Sequence, residues 1–144
     1  MKPKILLLVD KKNWAFDFIS REISRRLKAD FSFKTHYLSE EKPILNEKKI
    51  DLLYVFFWGE RYWKRFYIPH DKVLKEVASY RWRDDKEFGK ISAEVFCRSY
   101  LNDCNFVTTP CKKIESELRL YRNRIFHTPN GIDSELFRIT KRKT

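Results

Sequence analysis

Short apolar runs alternate with segments of helical periodicity along this chain, and that alternation decides the fold class. Residues 5–9 form a continuous aliphatic run, as expected of a strand covered on both faces. Asn13 offers an N-cap for a helix to about residue 29, with Phe16, Ile19, Ile23 and Leu27 as its inner stripe and Arg21, Arg25 and Arg26 outside. Residues 31–38 alternate and predict a second strand, residues 45–48 a turn of helix after Pro43, and residues 52–57 a third strand. A helix is expected over 60–66 and a fourth strand within 73–81. Asp84 should then open a long helix to about residue 102, through Phe88, Ile91, Val95 and Tyr100.

The pattern is most complete between residues 104 and 137. Residues 105–108 are a short apolar, β-branched run; Thr109 follows as an N-cap, with Pro110 at the first helical position, where its missing N–H costs nothing. Cys111, Ile114, Leu118 and Tyr121 give that helix one apolar face, and Arg122 and Arg124 suit its C-terminal end. Residues 125–128 predict another strand. It runs into Pro129-Asn130-Gly131, a turn in which Asn and Gly tolerate positive φ, and Asp133 can cap a helical turn carrying Leu136 and Phe137. Strands and helices in this alternation imply an α/β fold, a doubly wound parallel sheet with right-handed crossovers. Only residues 138–144 have the look of an untethered basic tail or the start of a linker, leaving 1–137 as one domain.

Ligands of open parallel sheets sit outside the carboxyl ends of the strands. That rule selects the loops 10–14, 57–63, 81–85, 108–109 and 129–131. Trp14, Trp58, Trp63 and Trp82 fall in or beside them, where indoles can stack on sugar rings, and Arg81 and Arg83 could grip phosphate. Asp10, at the end of the first strand, and Asp17, one turn into the helix, are the carboxylate candidates for activating a hydroxyl. Asp17 also suits a helix N-terminus. His36, His70 and His127 are scattered and fit structural roles. There is no phosphate loop, HExxH, nucleophile elbow or paired-Cys motif.

Composition changes the picture in three places. The 42% hydrophobic and 16% aromatic content belongs to a folded globule. Cys97, Cys104 and Cys111 are spaced by seven, which matches no zinc spacing or disulfide framework, so they are expected to be small buried thiols and no metal or cofactor is implied. A formal charge of +11 predicts attraction to something anionic, be it lipid phosphate, nucleotide, glycan or nucleic acid, although a basic balance also suits a purely solvated surface. In residues 54–67, eight of fourteen side chains are aromatic, with Arg61, Lys64 and Arg65 interleaved. Residues 54–57 fit core strand. Trp58, Arg61, Trp63, Lys64 and Arg65 then make a candidate membrane-contact surface, a composition that would equally serve single-stranded nucleic acid. No recognised nucleic-acid motif accompanies the charge, and nucleic acid is not the expected partner.

A strand, helix and strand ending in His127-Thr128-Pro129-Asn130-Gly131-Ile132-Asp133, with Phe137 after it and Thr108-Thr109 and Leu118 before it, resembles the end of the N-terminal domain of GT-B glycosyltransferases, in particular their family 4 group. At the front, residues 5–10 followed by Asn13-Trp14-Ala15-Phe16-Asp17 look like the opening of a subset carrying Gly-Trp-Ala-Phe-Asp, with Asn13 where glycine is usual. Residues 77–85 are similar to the family's fourth strand and its loop. The resemblance implies a Rossmann-like, acceptor-side half of a retaining enzyme of polysaccharide synthesis. The longest uncharged apolar run near the front, residues 5–9, is too short to cross a bilayer or serve as a secretory signal, so a cytoplasmic place is expected, peripheral at the inner face of the membrane. Lys11, Asn13, Trp14, Trp58, Arg81, Trp82, Arg83 and Thr109 would meet a glycan or lipid-linked acceptor, and Asn130, Gly131 and Asp133 would form the turn at the interdomain cleft. Family members bind the nucleotide-sugar donor mainly through a C-terminal domain with a paired-Glu motif. This chain stops before any such domain and is expected to be inactive alone. A receiver-like signalling domain would share the aliphatic opening and Asp10, but Lys11 stands where a second acid is needed and the third strand ends in aromatics. A basic nucleic-acid-binding module is the other alternative.

Overall fold

In the computed structural model, residues 1–40 and 49–131 are described. The helical turn expected at 45–48, Asp133 with the turn carrying Leu136 and Phe137, and the tail at 138–144 lie outside them. Six strands form one all-parallel sheet: β1 (Lys4–Val9), β2 (Ser32–Tyr37), β3 (Leu52–Val55), β4 (Val73–Glu76), β5 (Phe106–Thr109) and β6 (Ile125–His127). Their order is β2-β1-β3-β4-β5-β6. With α1 (Ala15–Leu27) on one face and α3 (Ala93–Tyr100) and α4 (Lys112–Leu118) on the other, this is the doubly wound, Rossmann-like α/β architecture that the alternation predicts.

Strand side chains divide between the faces with period two. Leu7, Val9 and Phe56 point toward α1 and pack with Phe16, Ile19 and Ile23. Leu6, Leu8, Leu53, Val55, Val73 and Val107 point the other way, onto Phe96 of α3 and Ile114 and Leu118 of α4. The larger core includes Trp58, Trp63 and Trp82. Trp82 stacks on Phe96 at 4.8 Å, and Trp58 meets Phe88, Phe96 and Tyr100 edge-on.

Several boundaries differ from the sequence expectation. Within α1 the stripe stops at Ile23: Leu27 is exposed, whereas Asp17 and Ser20 are buried. The segment expected as a helix over 60–66 is a 3₁₀ turn at Tyr62–Phe66. No helix starts at Asp84. Instead α2 (Arg81–Asp84) is a single turn, Asp85 caps a 3₁₀ turn at Lys86–Phe88, and α3 begins only after Ser92, whose hydroxyl accepts from the Val95 N–H at 3.3 Å. Gly89 at φ 84° and Lys90 at φ 50° interrupt the helix between them. Thr109 is the last residue of β5, and Cys111 takes the N-cap position of α4. Gly131 is exposed and is not among the residues with positive φ. The free thiols of Cys97 and Cys104 are buried and that of Cys111 is half-buried. Among the described residues no helix is long and apolar enough to cross a membrane, and no group of His, Cys, Asp and Glu could hold a metal ion.

Candidate functional site

The chain leaves β1 toward β2 on one side and returns to β3 on the other, so the loops after β1 and β3 diverge. A cleft of about 190 Å³ opens at that point. Asp10 from the end of β1, Phe57, Trp58 and Glu60 after β3, and Glu76, Ser79 and Arg81 from β4 and its loop line it, with Leu8, Phe16, Leu38, Val55 and Phe56 as apolar walls. It is smaller than the roughly 300 Å³ at which drug-sized sites begin, so one ring-sized group fits and a larger ligand must extend outward.

The loop after β1 is built around a left-handed residue. Asn13 has φ 65°, and its N–H donates to Asp17 Oδ2 at 2.7 Å. Tyr37 on β2 donates its hydroxyl to Asp17 Oδ1 at 2.7 Å, and Arg21 donates both to Asp17 and, at 2.8 Å, to Asn13 Oδ1. Burial acts to raise the Asp17 pKa, but these donors outweigh it and hold the carboxyl below its usual range. Asp17 is therefore a structural anchor, sealed and saturated with donors, and not a base for activating a hydroxyl. Asp10 keeps its place at the cleft, half-buried, with Oδ1 accepting from the Lys11 N–H at 2.7 Å.

The aromatic candidates separate by burial. Trp14 is 57% exposed, with the Lys11 ammonium 4.8 Å from its ring centroid, and these two stand outside the cleft lining. Trp82 is fully buried and cannot meet an acceptor. Trp58 is buried and contributes only to the cleft's inner wall. Trp63 is buried as well, with the Lys75 ammonium 5.5 Å from its ring, so the expected membrane-contact indoles, Trp58 and Trp63, are core side chains. The reason is apolar area: three indoles supply much of the packing beneath a sheet whose strands are only four residues long in β3, β4 and β5. Arg61, Lys64 and Arg65 remain exposed.

Arg81 lines the cleft but is already paired with Asp85 at 3.1 Å and Glu87 at 3.0 Å and lies over the rings of Phe57 and Phe88. Arg83 pairs with Asp84 and Glu117 and covers Tyr80 at 3.9 Å, outside the cleft. Thr109 is fully buried, its hydroxyl accepting from the Cys111 N–H at 3.2 Å, so it cannot contact an acceptor. Asn130 and Gly131 are exposed beyond β6 and do not line the cleft.

Sequence reasoning missed Glu76. It is 5% exposed, lines the cleft, and accepts a hydrogen bond from the Tyr54 hydroxyl at 2.6 Å. Burial pushes its carboxyl above the usual range, with the Tyr54 bond opposing, and burial likewise raises Tyr54. The signal was present: Lys75 and Glu76 put two charges side by side in a strand expected to be covered on both faces. Lys75 is accounted for by Asp103 at 2.6 Å and the Tyr100 carbonyl at 2.7 Å on the opposite face. Glu76 has no such ionic partner among the described residues.

No protein family, curated protein or solved structure matches this chain.

Proposed function

We propose that this chain is the acceptor-side domain of a retaining glycosyltransferase, holding a glycan or lipid-linked acceptor in the cleft beside β1, β3 and β4. The supporting observation is Asn13. In the resembling segment glycine stands at this position, and φ 65° is a conformation glycine adopts without cost. The left-handed residue, the Asp17 anchor and the loop leading into Trp14 form one unit at the switch point, where doubly wound sheets bind ligands. The donor nucleotide sugar would be held by a second domain. Arg61, Lys64 and Arg65 would face an anionic membrane surface in the cytoplasm, where a lipid-linked acceptor is presented.

A receiver-like reading gains nothing from the geometry, because β3 leads into the buried Phe56 and Trp58 and offers no phospho-acceptor carboxylate there. The test of the favoured reading is a pair of binding measurements on the purified chain. Glycan-array and vesicle-embedded acceptor binding should be saturable, while calorimetry with nucleotide sugars should detect nothing tighter than about 1 mM. Micromolar nucleotide-sugar binding would overturn the assignment to the acceptor side.

A further inference from the structure

We propose that Glu76, backed by Tyr54, is the group that recognises a ligand in the cleft, and that the ligand it fits is a hydroxyl of a neutral pyranose ring. This rests on the reading of the cleft as an acceptor site and deepens it. The first observation is the setting of the carboxyl. A glutamate at the end of a central parallel strand, 5% exposed and without a cation, serves no packing purpose that Gln or Leu would not serve as well. Its Oε2 is occupied by Tyr54 at 2.6 Å, and the Tyr54 hydroxyl is in turn 3.4 Å from Thr108 Oγ1. Its Oε1 has no hydrogen-bond partner among the described residues, while the residue lines the cleft.

The second observation is the company it keeps there. Among the described residues, the other titratable or charged groups lining the cleft are Asp10 from β1, Glu60 after β3 and Arg81 after β4, and Tyr54 lies behind Glu76 on β3. Arg81 is neutralised by Asp85 and Glu87, so the local balance is acidic although the chain carries +11. Phosphate or carboxylate ligands are disfavoured by Asp10 and Glu60 and by the buried Glu76 carboxyl, which offers an anion no cation. A neutral ring suits it. Leu8, Phe16, Val55 and Phe57 offer apolar surface to the C–H face of a sugar, and about 190 Å³ admits one ring. Burial opposes ionisation of this carboxyl, which accepts in either state and also donates when protonated, so it can pair with a sugar hydroxyl, which does both.

The inference is tested by saturation-transfer NMR and titration of the purified chain with methyl pyranosides of gluco, galacto, manno and N-acetylgluco configuration, and with glucose 6-phosphate, between pH 5 and 9. The wild type should bind at least one neutral pyranoside, more weakly toward higher pH because the ionised carboxyl cannot donate, and should prefer it to the phosphate. Glu76→Gln, which keeps a donor and an acceptor, should bind with that pH dependence removed. Glu76→Leu should bind about tenfold more weakly, the loss expected of one hydrogen bond to a buried group. Pyranoside binding that is indifferent to both substitutions, or a preference for glucose 6-phosphate, overturns the role of Glu76 and leaves the acceptor reading standing. Failure of the wild type to bind any pyranoside at any pH overturns both.

Discussion

A carboxylate sealed at the start of a helix is costly unless donors converge on it, and Asp17 receives them from Asn13, Tyr37 and Arg21. Asp17→Ala would leave the Asn13 N–H and the Tyr37 hydroxyl without their acceptor, and a loss of about 2–4 kcal/mol is expected in urea melts. Asn13→Gly should be near neutral, because the lost bond from Arg21 is offset by relief at φ 65°, whereas Asn13→Val should cost more than about 1 kcal/mol. Two other buried groups tilt stability against pH in opposite senses. The folded Glu76 pKa is raised above its ordinary value near 4.3, so its contribution is complete below that pH and is lost as pH rises through the folded value. Glu76→Gln should therefore lose less stability than wild type as pH rises above that ordinary value, which urea melts across pH would show. His36 is the mirror case: burial depresses it, with Glu40 opposing, and neither ring nitrogen has a hydrogen-bond partner among the described residues. Its contribution is present above about pH 6.5 and is lost as pH falls through the depressed value, so His36→Leu should flatten the acid limb of the same melts. Asp17 was visible in the sequence as a carboxylate near the first strand. Its role was not, because Tyr37 reaches it from twenty residues away.

At the scale of elements, the strands were legible because a parallel sheet covered on both faces demands apolar runs, which residues 5–9 and 52–57 supply, with a shorter β-branched run at 105–108. Helix starts were not legible where a turn and a helix bury the same side. Phe88 and Ile91 pack on the core from the segment before α3 just as Phe96 does from within it, so the apolar period runs unbroken through a chain that breaks at Gly89 and Lys90. The glycines show the same gap between residue type and geometry. Asn-Gly after β6 suggested a left-handed turn, yet Gly131 lacks positive φ and a Cβ there would meet nothing within 4 Å. Gly131→Val should leave stability within about 0.5 kcal/mol of wild type. Gly59 carries the real constraint: a Cβ would lie 2.9 Å from the Phe57 ring and 3.2 Å from Phe88. Both rings face Arg81, so Gly59→Ala should cost about 1–3 kcal/mol and disturb the cleft wall, which thermal melts and the aromatic NMR shifts of Phe57 would report.

For the whole molecule, the balance between charge and aromatic surface decides how it could meet a membrane. A peripheral protein gains long-range attraction from cations, about 1 kcal/mol each near an anionic leaflet, and short-range adhesion from indoles that settle among the headgroups. Here the two contributions are separated by the fold. Trp58 and Trp63 are committed to the core, while Arg61, Lys64 and Arg65 stay at the surface, Arg61 over Tyr100, Lys64 near Asp103 and Arg65 over Tyr62. That leaves an electrostatic contact without an indole anchor on this segment, whose exposed aromatic is Tyr67. Co-sedimentation with phosphatidylserine vesicles should then be measurable at low salt and fall to the level of neutral vesicles by about 0.5 M salt, as the Debye length shrinks to a few ångströms. Replacing Arg61, Lys64 and Arg65 together by Glu should abolish it at every salt concentration with little change in melting temperature. Trp63→Ala should do the reverse, lowering stability by about 3–5 kcal/mol through the cavity it opens beside Lys75, with vesicle binding per folded molecule unchanged. Binding that survives high salt would mean that an exposed aromatic inserts after all, and separate substitution of Tyr67, two residues from Arg65, and of Trp14, beside Lys11, would show which one.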